Sequence, residues 1–285
     1  MSARRVMGRS PAKCTSVPAQ CVSFADAGRP TFVLTQTDET MKTVLITGAN
    51  KSIGFETARQ LLKMDYFVYI GSRDLQKGKQ AAEELKAEGY EHVEAIAIDV
   101  DNRDSIKAAR EILGSKIESL DVLINNAGIS GDFPQTAAEA DINIFRQVFE
   151  TNFFGAIETT QAFLDLLKKS PEPRIVNVTS GLGSLTLHSD PTWKYYPVKG
   201  ACYTSSKAAL NAYTIVLAYE LRDTAFKVNV VDPGYTATDF NHHSGPGTVE
   251  DAAARLVKAA TLTADGLTGQ FFSDDNSPET GISPW

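Results

Sequence analysis

The chain has 285 residues, with 28 Lys and Arg against 35 Asp and Glu, a formal net charge of −7, 42% apolar residues and three cysteines. A chain of this length can bury a core without staples, and its charge content is that of an ordinary soluble globule rather than a disordered polymer. No run approaches the roughly 20 apolar residues of a membrane helix, and the acidic balance disfavours phosphate backbones, so neither a membrane nor nucleic acid is expected as a partner.

Residues 1–40 stand apart from the rest. They lack apolar periodicity, carry Pro11, Pro18 and Pro30, and hold five cations (Arg4, Arg5, Arg9, Lys13, Arg29) against three acids (Asp26, Asp38, Glu39). The segment reads as a disordered N-terminal extension, as sequence upstream of a start at Met41, or as a transit peptide. The cysteines, Cys14, Cys21 and Cys202, form no CxxC or Cys/His cluster. Neither a disulfide framework nor a metal site is expected, and a reducing cytoplasmic setting is the default.

From Met41 a regular alternation sets in and continues through 41–285. β-Branched runs at Thr43–Thr47, Phe67–Ser72, Val93–Asp99, Val122–Asn125, Arg174–Thr179 and Lys227–Val231 predict strands. Helical patterns at Phe55–Lys63, Leu75–Glu88, Arg103–Leu113, Asp141–Lys168 and Ala201–Leu221 fall between them. Strands alternating with helices of ten or more residues mean βαβ units and a parallel sheet. The strands are apolar on both faces, as strands covered on both sides are. The expected fold is a doubly wound α/β sheet, a Rossmann fold, in a single domain.

The first strand runs into Thr47-Gly48-Ala49-Asn50-Lys51-Ser52-Ile53-Gly54 and then a helix. Gly48 allows the tight turn, and Gly54 allows the helix to pack closely on the sheet. The helix N-terminus then offers free N–H groups to a pyrophosphate. Ser52 stands where a middle glycine would sit; its Cβ holds the backbone away from a phosphate while its hydroxyl can donate to one.

Tyr203 and Lys207 lie four apart in a predicted helix, on one face. An ammonium beside a phenol favours the phenolate and lowers the tyrosine pKa, and such a tyrosine can give a proton to a carbonyl oxygen. This pair, together with Thr47–Gly54, Asp99-Val100, Asn125-Asn126-Ala127-Gly128, Thr151-Asn152, Val178-Thr179-Ser180 and Asp232-Pro233-Gly234, resembles the short-chain dehydrogenase/reductase family in its compact single-domain branch. The order matches from residue 41 to about 275.

The resemblance implies a catalytic set of Asn152, Ser180, Tyr203 and Lys207. Tyr203 would be the general acid, tuned by Lys207; Ser180 would hold the substrate carbonyl; Asn152 would support Lys207 in a proton relay. The implied cofactor contacts are Gly48, Asn50, Lys51, Ser52, Ile53 and Gly54 in the phosphate loop and Asp99 and Val100 at the adenine. Asn126, Ala127 and Gly128 would lie at the adenosine ribose side, with Tyr203 and Lys207 at the nicotinamide ribose. Pro233, Gly234, Thr236 and Thr238 would lie against the nicotinamide.

At the end of the second strand, Ser72 occupies the place of the carboxylate an NAD site uses, and Arg73 follows it. Arg73 and Lys51 facing a 2′-phosphate favour NADP, and hence NADPH over NADH. From Ser180 to Tyr203 the chain is longer than in compact relatives and carries His188, Trp193, Tyr195 and Tyr196. That insert, with the Thr268–Phe272 and Pro284-Trp285 C-terminus, resembles carbonyl-reductase-like members, and leaves monomer and homo-oligomer both open. The loop through Phe240, His242, His243 and Gly245 would close over the substrate. The expected activity is NADPH-dependent reduction of a small-molecule aldehyde, ketone or quinone. The alternatives are an NAD-linked alcohol dehydrogenase and a catalytically silent NADP-sensing regulatory protein.

Overall fold

Side chains of successive strand residues enter opposite helical layers. In β1 (Thr43–Ile46), Val44 and Ile46 join the cluster under α1 (Ser52–Leu62), α2 (Leu75–Ala87) and α8 (Val249–Ala260). Leu45, between them, joins the cluster under α3 (Arg103–Gly114), α5 (Gly155–Leu167) and α7 (Ala201–Glu220). Both faces are therefore dry, which is why the strands read as continuous apolar runs. The computed structural model describes residues 41–132 and 134–285; the expectation for residues 1–40 lies outside them.

The sheet has seven parallel strands in the order β3-β2-β1-β4-β5-β6-β7, with β2 at Phe67–Ser72, β3 at Val93–Ala97, β4 at Val122–Asn125, β5 at Arg174–Val178, β6 at Lys227–Val231 and β7 at Phe271–Phe272. This is the doubly wound fold expected. The winding reverses between β1 and β4, and the crevice outside their carboxyl ends is where such sheets bind ligands. Among the described residues no helix is long and apolar enough to cross a membrane.

Two departures bear on the site. The helix expected over Asp141–Lys168 is α4 (Ile142–Phe149) and α5 joined by a π turn, Glu150–Phe154, in which the Gly155 N–H reaches Glu150 O. Gly155 has no room for a side chain, since a Cβ would stand 2.7 Å from Val100 O. The second departure is α8, unforeseen although its signal is present: Thr248 caps the Asp251 N–H ahead of an alanine-rich run. β7, with two residues, is too short to show a period. A short helix, α6 (Leu185–His188), opens the insert after Ser180.

Candidate active site

The phosphate loop packs tightly on the end of β4. A Cβ at Gly48, which has φ +63°, would meet Ala127 Cα at 3.0 Å, and one at Gly54 would stand 2.6 Å from Asn126 Nδ2. Thr47 stitches the two segments: its Oγ1 accepts from the Asn126 and Ala127 N–H groups at 3.0 Å each, and its carbonyl accepts from Asn126 Nδ2 at 2.8 Å. Ser52 takes φ +52°, so the position keeps the left-handed conformation a glycine would give, at a cost of about 1 kcal/mol. The serine is accommodated by strain rather than by displacing the loop.

The start of α1 has no side-chain cap and no acidic residue in its first turn, whereas Asp74 caps α2 and Asn102 caps α3. Its free N–H groups form an anion site beside the switch point. At the end of β2, Asp74 is occupied by the Gln76 and Lys77 N–H groups, and Ser72 Oγ donates to Asp74 O at 2.8 Å. Arg73 is left exposed. Asp99 and Val100 lie half-buried next to it in the fold, with Asp101 bonded to Thr151 Oγ1 at 2.9 Å and its pKa raised by burial. Asn50 and Ile53 are half-buried in the loop. These residues fit a pyridine dinucleotide: uncapped helix start, side-chain-free cradle and an exposed cation.

Across the sheet edge, Tyr203 and Lys207 are buried on one face of α7. Lys207 Nζ donates to Val178 O at 2.8 Å and lies 5.8 Å from the Tyr203 ring centre. Burial lowers the Lys207 pKa to about 8. Burial also raises the Tyr203 pKa; the Ser180 hydroxyl pulls the other way and the Asp232 charge adds to the rise. Burial therefore overrides the expected lowering by Lys207 in the protein alone, and the Lys207 ammonium is turned to the Val178 carbonyl. The phenol holds its proton at neutral pH.

The π turn sets Asn152 beside this pair. Its Oδ1 accepts from Ile129 N at 2.8 Å, and its Nδ2 donates to Ile129 O at 2.9 Å and Ser206 Oγ at 3.0 Å. A Cβ on Gly128 would meet both Asn152 Oδ1 (3.2 Å) and Lys207 Nζ (3.6 Å), so these groups share one space. Pro233 and Gly234 follow β6, Gly234 at φ +81°.

Sequence reasoning missed two supporting side chains. Gln135 is buried and caps α7, its Oε1 accepting from Tyr203 N at 3.0 Å; no local pattern marks it. Asn211 accepts from Thr179 Oγ1 at 2.6 Å and donates to Gly183 O at 3.1 Å, gripping the turn on either side of Ser180. Its signal is the spacing of four that continues from Tyr203 and Lys207.

The insert and the C-terminus form the opposite wall. Ser184 Oγ donates to Pro284 O at 2.7 Å, Thr186 N to Trp285 O at 2.9 Å, and Trp193 Nε1 to Asn276 Oδ1 at 3.0 Å. The rings of His188, Trp193, Tyr195 and Tyr235 follow one another at 5.2–6.1 Å. Phe240 stands 5.7 Å from the Tyr203 ring. Thr236 and Thr238 are buried and tied by Asn241, whose Nδ2 donates to Thr236 O and whose Oδ1 accepts from Thr238 N. Lys51, expected to face a 2′-phosphate, pairs with Asp239 at 2.8 Å in the protein without nucleotide, and Asp239 also meets His243 Nε2 at 3.0 Å. Among the described residues no group of His, Cys, Asp and Glu is placed to hold a metal ion.

Residues 42–248 match the model of the short chain dehydrogenase family. The chain is 38% identical over 246 residues to the short-chain dehydrogenase anuI of Penicillium roqueforti, covering 82% of this chain and 94% of the relative. It is 33% identical to the (+)-neomenthol dehydrogenase of Capsicum annuum, over 80% of this chain and 94% of that one. Among solved structures, salutaridine reductase from Papaver somniferum superposes with a TM-score of 0.72 at 29% identity, covering 82% of this chain and 99% of that one. NADPH-bound carbonyl reductase from chicken fatty liver superposes with a TM-score of 0.73 at 27% identity, covering 86% and 99%.

Proposed function

The chain belongs to the short-chain dehydrogenase family, and from that premise we propose that it is an NADPH-dependent reductase acting on the carbonyl of a small-molecule aldehyde, ketone or quinone, with Tyr203 as the proton donor. The observation that carries this is the gathering of Tyr203, Lys207, Asn152 and the Ser180 turn at the carboxyl edge of the sheet, facing an uncapped helix start.

When bound, the nicotinamide supplies the hydride. Gly48, Asn50, Ser52, Ile53 and Gly54 receive the pyrophosphate, with Asp99 and Val100 at the adenine and Asn126, Ala127 and Gly128 at its ribose. Pro233, Gly234, Thr236 and Thr238 hold the nicotinamide end. Ser180 orients the substrate oxygen and stabilises the charge that develops on it. Tyr203, kept protonated by burial, gives its phenol proton to that oxygen. Lys207 binds the nicotinamide ribose and, as a cation below about pH 8, favours the phenolate that Tyr203 leaves behind. Asn152, bonded to the Ile129 backbone and Ser206, supports the relay that returns the proton.

Preference for NADPH is supported by the capping role of Asp74, which removes the nearest carboxylate from the ribose, and by the exposed Arg73. The relatives named as a dehydrogenase and a reductase, and the neighbour named as an NADPH-bound carbonyl reductase, agree with this reading without fixing the substrate.

The test is the loss of reduced-nicotinamide absorbance with NADPH and NADH in parallel over aldehydes, diketones and quinones. Turnover with NADPH is expected, and Tyr203→Phe is expected to lower kcat/KM by about 10³-fold while NADPH still binds. Binding without turnover across the panel would overturn the reductase reading in favour of a sensor.

A further inference from the structure

Asp232 follows β6 and is 4% exposed, and no cation lies within ion-pair distance of its carboxylate among the described residues. Its partners come from three separate stretches of chain. Oδ1 accepts from Gly234 N at 2.9 Å, in the loop assigned to the nicotinamide. Oδ2 accepts from Ser273 Oγ at 2.7 Å and Asn276 Nδ2 at 3.1 Å, in the segment after β7. Gly181, next to Ser180, packs against the same carboxylate. Gly181 must be a glycine for this: a Cβ there would stand 3.1 Å from Asp232 Oδ2 and closer still to Asn276 Nδ2.

The donor inventory settles the charge state. The Gly234 N–H and the Asn276 amide NH2 can only donate, and the Ser273 Oγ already accepts from Asn276 N and Nδ2, which leaves its proton for Asp232. A protonated carboxyl would need an acceptor that none of them offers. The group is an anion solvated by three hydrogen bonds, although burial raises its pKa against them.

We propose that Asp232 is a positioning residue of the reaction: as a buried anion it holds the Ser180 turn, the Pro233-Gly234 loop and the C-terminal loop in one register about Tyr203. The proposal rests on the reductase reading of the site. Through Asn276, whose Oδ1 accepts from Trp193 Nε1, the same anchor reaches the aromatic insert. Movement of the substrate wall is thereby coupled to the two loops that flank the reacting atoms.

A second consequence is electrostatic. A fixed negative charge near a phenol disfavours the phenolate, so Asp232 helps keep Tyr203 in its acid form. The other charges around the two groups are Lys207 on α7, turned to Val178 O, and Arg255 on α8, bonded to Pro233 O. Lys194 of the insert pairs with Asp275, Lys258 on α8 lies near Asp274, and His188 on α6 is held by Lys199. None of these neutralises Asp232 directly.

Asp232→Asn keeps the shape, removes the charge and sets an amide donor against donors. Tyr203 would then titrate at lower pH, and the basic limb of the kcat profile for reduction, where the acid form is lost, would move down with it. The probes are NADPH with menadione for turnover, NADPH binding by fluorescence, and 13C-tyrosine NMR of the protein alone, with Tyr203 assigned by Tyr203→Phe. The expected result is a fall in kcat of about 10²-fold, little change in NADPH Kd, and a Tyr203 titration displaced to lower pH. An unmoved titration, or a loss confined to KM and Kd, would overturn the proposal.

Ser273→Ala supplies the check if Asp232→Asn does not fold. It retains the anion with one donor fewer, so Asp232 protonates more readily and the acid limb of kcat rises in pH; an unmoved acid limb would overturn the proposal. Wild-type turnover in Tyr203→Phe would instead refute the reductase reading, leaving the NMR titration to judge Asp232 alone.

Discussion

At the start of α1 the polar groups are left bare, with Lys51 extended, Ser52 strained and no side chain on the first N–H groups. At the turn after β5 the polar groups are crowded, with Ser180, Gly181 and Gly183 held by Asp232, Asn276 and Asn211. The first region is formed by residues within one stretch of chain and a neighbouring strand end. The second is held by side chains from three stretches, down to a carbonyl 100 positions away at Pro284. A surface left unsatisfied invites a ligand to complete it, whereas a surface already satisfied sets the geometry in which the ligand reacts.

The sharpest way to break the bare side is to fill it. Gly54→Ala introduces a Cβ 2.6 Å from Asn126 Nδ2 and 2.9 Å from both Ala49 Cα and Gly48 O. Two of these neighbours are backbone and cannot move aside without opening the turn. NADPH and NADH binding should both weaken by at least about tenfold, with stability down about 1–3 kcal/mol. Fluorescence titration and thermal unfolding check this, and unchanged affinity for either nucleotide would contradict the cradle.

The same contrast explains what could be read from the residues. Gly48, Gly54 and the Tyr203–Lys207 spacing are local, and their physics is visible in a few consecutive positions. The apolar runs alternating with helical patterns are likewise local, and Val44, Leu45 and Ile46 show why both strand faces are apolar: they enter two layers in turn. Gln135 and Asn276 act at distances of 68 and 83 residues, through single hydrogen bonds that leave no periodic trace. Asn152 was legible as a residue but not as a geometry, because the π turn that aims it depends on Gly155 lying against Val100. Lys51 was assigned to the phosphate, and the pairing with Asp239 was invisible because 188 positions separate them.

The crowded side can be loosened without touching the bare one. Trp285→Ala removes a ring that stacks 5.6 Å from Phe271, while its carbonyl receives the Thr186 N–H. The insert would lose its seat at the C-terminus. The KM for a carbonyl substrate should rise about fivefold with NADPH Kd unchanged. Steady-state kinetics beside a binding titration separates the two, and parallel weakening of both would mean that the walls are not independent.

The smallest expected effect lies where the two sides touch. Lys51 ahead of α1 and Asp239 in the loop after Thr238 pair at 2.8 Å, both about half exposed. Lys51 holds the Asp239 carboxyl below the usual range, so the pair persists from neutral pH into mild acid. A 2′-phosphate that recruits Lys51 must first take it from Asp239, and an exposed pair resists this only weakly. Asp239→Asn should therefore tighten NADPH by about twofold to fivefold and leave NADH unchanged, the gain shrinking with added salt. Arg73→Ala, which removes the exposed cation after β2, should weaken NADPH by about tenfold and again spare NADH. Titrations of both nucleotides against both variants decide the matter. Equal effects on NADPH and NADH would mean that neither cation meets the 2′-phosphate, and the Lys51–Asp239 pair would then be a strut across the site rather than a contact that the nucleotide exchanges.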